Sequence, residues 1–251
     1  MILEKYGDTR VARIDRSVFS DYKMYNKYLH LHEKDTILEI WPGNWSFSLY
    51  LKERFNIPEH NITLLDASSS TVHILKKQPE TEKFNIIESD VIDYLKNNQK
   101  KYTLIVMKYV LEHMEKPYIN NLIPLLLDAL TEHGTLLIEV PNIWNTPYGV
   151  FWAFADYTHY TYFTHESLVQ CILWNNTKNI KLDIKTRNIY PNIIFKPKLF
   201  YMIKSIIAFI LRWISIIISY CFMRINWDNT WTWEVFTPFI LALIKKKWKN
   251  L

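Results

Sequence analysis

The chain has 251 residues, 22% of them charged and 49% hydrophobic, which describes one folded domain with room for an appendage and excludes a disordered chain. It holds only 4 Gly, far below the usual roughly 7%, and that excludes most phosphate-cradling architectures, which need several glycines close together. Its 2 Cys, Cys171 and Cys221, make neither a disulfide framework nor a zinc site by themselves, so no metal site and a reducing, cytoplasmic setting are expected.

The net charge of +5 is unevenly spread. From Lys181 onward there are 12 Lys+Arg against 3 Asp+Glu, a balance of +9, while residues 1–180 carry −4. A basic, apolar tail on a mildly acidic body suits an anionic surface. Because apolar runs accompany the charges, a membrane surface is favoured over nucleic acid as the tail's partner, which adds contact with a membrane's inner face to the cytoplasmic expectation; simple solubility is the plainer alternative. Met1–Arg16 is polar and charged and lacks the apolar core of a signal peptide.

Residues 1–34 read as an N-terminal helical segment. Thr36–Ile40 is a short buried strand, and Ser46–Phe55 a helix with Phe47, Leu51 and Phe55 on one face. Ile62–Asp66 is the second strand and Ser69–Lys77 the second helix, with Ser and Thr available as caps. Phe84–Glu88 and Tyr102–Met107 are the third and fourth strands. Ile119–Leu130 is helical, and Gly134–Val140 is a fifth strand ended by Pro141. Strands alternating with helices at this spacing predict βαβ units: an α/β, Rossmann-like, doubly wound, mostly parallel sheet of seven strands.

After Pro141 the pattern changes. Residues 142–163 are dense in aromatics, including Trp144, Phe151, Phe154, Tyr157, Tyr160 and Tyr162. This aromatic insertion reads as a pocket wall, or else as plain core. Thr164 caps a helix running to Trp174, and Ile180–Tyr190 alternates like a strand. Leu199–Met223 is strongly apolar but broken by Lys204 and Arg212. Its longest clean stretch falls short of the roughly 20 residues a spanning helix needs. It reads as an apolar helical insertion over 196–235, a lid or a membrane-surface contact through 197–233, with its basic residues snorkelling. Pro238–Ile244 is the last strand, so the main domain is expected over 35–195 and 236–251.

In open parallel sheets ligands bind beyond the carboxyl ends of the strands, at the reversal of strand order. Glu39, Trp41 and Gly43 fall after the first strand, Asp66 and Ala67 after the second, and Asp90 and Val91 after the third. Lys108, Tyr109, Glu112 and His113 follow the fourth. A carboxylate at Asp66 can accept both hydroxyls of a ribose, Gly43 lets a ligand lie against the backbone, and Asp90 can accept from an exocyclic amine, although acids at strand ends often only cap the next helix.

These segments resemble the class I S-adenosylmethionine-dependent methyltransferases. The matches are Ile37-Leu-Glu-Ile-Trp-Pro-Gly43, Leu64-Leu-Asp66, Glu88-Ser-Asp90-Val, Val110-Leu-Glu-His113 and Leu137-Ile-Glu-Val-Pro-Asn142. Asp156-Tyr-Thr-His159, followed by Tyr162-Phe-Thr-His-Glu-Ser-Leu168, resembles members found in surface-polysaccharide gene clusters (capsule or O-antigen). The resemblance implies S-adenosylmethionine as cofactor, held by Glu39, Trp41, Gly43, Asp66, Ala67, Asp90, Val91 and Lys108. It implies methyl transfer to a small-molecule, glycan or lipid-linked acceptor, with His113, His159 and Asp156 as candidate catalytic residues, His titrating near neutrality. O-methylation of a cell-surface glycan or its lipid- or nucleotide-linked precursor is the resulting expectation; a lipid or quinone-like acceptor is the alternative. Two departures stand out: Trp41 and Trp45 replace the outer glycines of the first motif. If both indoles fill the cofactor edge, the chain is instead an inactive scaffold.

Overall fold

A computed structural model of the chain describes residues 16–144, 148–174, 180–187 and 239–246, and the single positions 207, 210, 213, 214 and 217. Its framework is one mixed sheet. The strands are β1 (Ile37–Ile40), β2 (Ile62–Asp66), β3 (Asn85–Glu88), β4 (Tyr102–Lys108), β5 (Leu130–Pro141), β6 (Ile180–Arg187) and β7 (Phe239–Lys246), ordered β3-β2-β1-β4-β5-β7-β6. Neighbours from β3 to β5 pair in parallel, and β7 runs antiparallel to both β5 and β6. The Rossmann-like α/β expectation holds. Strand order reverses between β1 and β4, the two central strands, and the crevice beyond their carboxyl ends is where such a sheet binds ligands.

The continuous apolar runs of β1 and β2 follow from burial on both faces; every residue of both strands is buried. Alternate side chains feed two cores. Leu38, Ile40, Ile105, Met107, Leu136 and Ile138 pack with the Lys116–Asp128 helix through Leu122, Ile123 and Leu126. On the other face Ile37, Leu64, Leu104, Val106 and Leu137 pack with Phe47 and Leu51 of the Ser46–Phe55 helix. The N-terminal turns over Arg16–Lys27 close this second face. Tyr22 and Tyr25 meet Phe47 edge-on at 5.1 and 4.9 Å between ring centroids.

Several boundaries move. The helix expected over Ile119–Leu130 spans Lys116–Asp128, and β5 begins at Leu130 rather than Gly134. Helices over Val91–Asn97 and Tyr148–Ala155 were not expected. The first is short, and the second is apolar on all sides, so neither shows a period. Thr164 does cap the His165–Trp174 helix: its Oγ1 accepts from the Ser167 amide at 3.2 Å, while Ser167 Oγ accepts from the Thr164 amide at 2.8 Å. Most of the insertion expected over 196–235 lies outside the described residues. Its described positions, Ile207, Ile210, Trp213, Ile214 and Ile217, are helical and exposed. No helix among the described residues is long and apolar enough to cross a membrane.

Candidate active site

The loop after β1 has the backbone of a glycine-rich turn without the glycines. Trp41, Gly43 and Trp45 sit at φ of 52°, 53° and 47°. Left-handed backbone costs a residue with a Cβ about 1–2 kcal/mol, so the two tryptophans hold strain that packing must offset. Burial offsets it at Trp45, which is fully buried in the core cluster with Tyr25, Ile37 and Phe47, although its indole N–H has no hydrogen-bond partner among the described residues. Trp41 is half-buried, with its ring 6.2 Å from that of His113. At Gly43 an added Cβ would meet nothing within 4 Å, so the turn stays open to a ligand.

The acids at the strand ends have diverged in role. Glu39 is buried and directed onto Ser48: it accepts from the Ser48 amide at 3.2 Å and from the Ser48 hydroxyl. Burial pushes its pKa up to about 7, against the pull of Ser48 and Lys108. Asp66 is buried with Oδ1 accepting from the Ser68 amide at 2.8 Å, while Oδ2 accepts nothing among the described residues. Burial raises its pKa to about 6, partly countered by that amide. Asp90 is taken up structurally. Oδ1 caps the Val91–Asn97 helix by accepting from the Ile92 and Asp93 amides at 2.8 and 3.2 Å, and Oδ2 accepts from the Tyr118 hydroxyl at 2.6 Å. Ala67 is exposed beside Asp66, and Val91 is buried at the start of its helix.

Lys108 points to the Tyr22–Tyr25 side of the sheet. Its Nζ lies 4.3–5.1 Å from the ring centroids of Tyr22, Phe47 and Tyr25, and 3.6 Å from Oε2 of the fully buried Glu139. Glu139 also accepts from the hydroxyls of Tyr25 and Tyr109, the latter at 3.0 Å. Sequence reasoning missed this cage. The Tyr22/Tyr25 pair, three residues apart in a helical segment, was its one local signal.

The end of β4 is pinned to the aromatic segment through backbone. The Glu112 carbonyl accepts from the Tyr160 and Thr161 amides at 2.8 and 3.0 Å. This clamp brings His113 and His159 together, with ring centroids 4.6 Å apart and planes at 68°. Asp156 Oδ1 accepts from the Thr158 amide at 3.0 Å and from the Thr158 hydroxyl at 2.7 Å. The hydroxyl proton being spent there, Thr158 Oγ1 accepts from His113 Nδ1–H at 2.8 Å. His159 Nδ1 lies 2.8 Å from the Ala153 carbonyl, an acceptor only, so Nδ1 carries its proton as well. Both imidazoles, when neutral, therefore present a lone pair at Nε2. Burial works against Asp156 ionising, but the Thr158 hydroxyl and amide outweigh it, with His113 and His159 adding to them, and hold its carboxyl below the usual range. Glu112 contrasts with it: it is 2% exposed, neither carboxyl oxygen has a hydrogen-bond partner among the described residues, and burial drives its pKa up to about 8, opposed by its own nearby backbone amide and reinforced by Glu139 and Asp156.

A doubly wound sheet with an open turn after β1, an acceptor at the end of β2 and polar side chains gathered after β4 forms a crevice suited to a nucleoside-bearing cofactor. The comparisons specify which kind. The sequence profile of the methyltransferase domain family matches residues 16–181, and the chain belongs to that family, among the class I S-adenosylmethionine-dependent methyltransferases. It is a methyl-transferring enzyme, and S-adenosylmethionine is its cofactor. Solved structures share the fold at low identity. An S-adenosylmethionine-dependent methyltransferase from Archaeoglobus fulgidus is 19% identical, with a TM-score of 0.60 over 92% of this chain and 93% of its own. A complex of a methyltransferase with a methyltransferase activator from Haloferax volcanii gives 11% identity and a TM-score of 0.64 over 98% and 96%. The plantazolicin methyltransferase BamL, solved with a triazolic desmethylPZN analogue and S-adenosylhomocysteine, gives 14% identity and a TM-score of 0.57 over 92% and 85%. No curated protein sequence matches the chain.

Proposed function

We propose that the chain O-methylates a hydroxyl-bearing acceptor, a cell-surface glycan or its lipid- or nucleotide-linked precursor. The carrying observation is the turn that holds His159. Tyr157 and Tyr160 flank it at 92% and 63% exposure, and Phe151 and Phe154 of the preceding helix are 63% and 61% exposed. Open aromatic faces beside hydroxyls and an imidazole pair suit a sugar, whose C–H faces stack on rings while its hydroxyls find partners.

The residues fit the cofactor: Gly43 leaves its cradle open, Trp45 is turned into the core, and Asp66 keeps an oxygen free for a ribose. When bound, the cofactor supplies an electrophilic methyl on a sulfonium, a good leaving group. The protein's work is alignment and proton handling. Asp66 orients the ribose, and the Trp41–Asn44 backbone carries the rest of the cofactor, with Glu39 and Lys108 supporting that loop from below. His113 and His159 offer Nε2 lone pairs to the acceptor hydroxyl, held in that tautomer by Thr158, Asp156 and the Ala153 carbonyl. The exposed helical positions Ile207, Ile210, Trp213, Ile214 and Ile217 favour a second reading, a lipid or quinone-like acceptor drawn from a membrane surface; the same face supports work at the membrane's inner side on a lipid carrier.

The test is transfer of a radiolabelled methyl to lipid-linked and nucleotide-linked sugars, with quinones and phospholipids in parallel. Label on sugar that survives alkali, as an ether does, supports the glycan reading. Alkali-labile label, or label confined to the lipids, overturns it.

A further inference from the structure

Methyl transfer by itself leaves Glu112 unexplained. Its carboxyl is sealed from solvent, neither oxygen has a hydrogen-bond partner among the described residues, and Glu139 and Asp156 add negative charge nearby. A buried carboxyl without partners is costly: as the neutral acid it leaves polar atoms unsatisfied, and as the carboxylate it needs something positive bound to it. The rest of a ligand set stands beside it. One donor atom each from Glu112, His113 and His159 lies within 4.8 Å of the others. Metal-ligating histidines commonly donate their second ring N–H to a carbonyl or a carboxylate-linked group. Both do so here, His159 to the Ala153 carbonyl and His113 to Thr158, which Asp156 holds in turn.

We propose that Glu112, His113 and His159 bind a divalent first-row transition-metal ion at the acceptor edge. Two imidazoles and one carboxylate suit zinc, iron, manganese or cobalt better than calcium or magnesium, which take oxygen ligands. Donor atoms bind such ions at about 2.0–2.2 Å, so a modest inward rotation of the side chains closes the set. Both imidazoles are half-buried whereas Glu112 is buried, which leaves further coordination positions for an acceptor oxygen. The inference rests on the methyl-transfer reading and sharpens it: the Nε2 atoms act as ligands, and the ion polarises the acceptor hydroxyl in place of a bare imidazole.

The experiment is a titration of tag-free, chelator-treated full-length protein with Co²⁺, followed by visible absorption, with Zn²⁺ as competitor. The expected result is one ion per chain, displaced by Zn²⁺. His159→Asn and Glu112→Gln each abolish saturable binding. Thr158→Val weakens binding by about ten- to a hundredfold, as the loss of an outer-shell partner does. His60→Ala, an imidazole in the remote turn before β2, leaves binding unchanged. Absent one-to-one binding by folded wild type, or with wild-type binding by folded His113→Asn or His159→Asn, the site is overturned. His159 sits on a half-buried turn, so its variant stays informative where Glu112→Gln fails to fold, and circular dichroism confirms each fold. Calorimetry with S-adenosylmethionine on the same samples separates the two claims. S-adenosylmethionine binding without Co²⁺ binding removes the metal alone; Co²⁺ binding without S-adenosylmethionine binding removes the methyl-transfer reading and leaves the ion site standing.

Discussion

Along the carboxyl-end edge of the sheet, neighbouring strands treat their acids differently. At the ends of β1 and β3, Glu39 and Asp90 are consumed by the helices that follow, through the Ser48 amide and hydroxyl and through the Ile92 and Asp93 amides. In the turn after β4, the Glu112 carboxyl is buried with no hydrogen-bond partner among the described residues. Asp66 lies between these extremes, with one oxygen used and one open. A carboxylate one step beyond a strand meets helix-start amides that have no partner within their helix. Where the next turn offers them, the acid becomes a cap. After β4 the Leu111–His113 turn gives the His113 amide to the Val110 carbonyl, and Glu112 caps no helix.

The largest effect expected is at Trp45. Trp45→Gly restores the family's glycine and relieves left-handed strain of about 1–2 kcal/mol, but it empties a fully buried indole's place, a loss of about 3–5 kcal/mol. Urea unfolding should show a net loss of about 1–4 kcal/mol. A stabilised variant would mean that the indole does not carry this core. Next is Glu112→Leu, which removes a buried polar group without partners and should stabilise metal-free protein by about 1–3 kcal/mol while lowering methyl transfer. Destabilisation there would show that Glu112 has a partner within the fold. Asp90→Ala should cost about 1–2 kcal/mol of stability through the lost cap, with thermal melting as the readout. A loss of cofactor affinity without a shift in melting would place Asp90 at the adenine instead.

The smallest effect is on pH. Burial raises the pKa of Asp66 from 3.8 to about 6, so its charged form is disfavoured in the folded chain. The stability associated with this group is full below its unfolded value and is lost as pH rises through about 6. Cofactor binding runs the other way, because an ionised Asp66 is the better acceptor for two hydroxyls. Affinity should therefore fall as pH drops below about 6, by at most about tenfold per unit. Asp66→Asn should flatten both slopes, and calorimetry across that range checks it.

The strands were legible because β1, β2, β4 and β5 are apolar runs sealed on both faces. Strand order and the antiparallel insertion of β7 were not, since pairing partners are distant in sequence and no local pattern encodes their direction. Ser46–Phe55 was legible from its spacing, whereas Tyr148–Ala155, apolar all round, hid its helix. At the site, position after a strand identified Asp66, Gly43 and His113 as candidates, and the aromatic segment's resemblance to the family added His159. It could not separate Asp66 from Asp90, whose difference lies in the helix-start amides and the Tyr118 hydroxyl that reach only Asp90. Nor could it show which way Trp45 turns, or that Glu112 is sealed in beside two imidazoles. The one local hint was an acid set in the apolar run Val110-Leu-Glu-His-Met114.

The central claim is that the loop after β1 keeps a working cofactor cradle although tryptophans replace its glycines. Calorimetry of S-adenosylmethionine binding to wild type and Asp66→Ala tests it most directly. The account predicts saturable one-site binding by wild type, weakened by about a hundredfold in the variant, as loss of hydrogen bonds to a charged group implies. Folded wild-type protein that does not bind, or a variant that binds equally well, would contradict it.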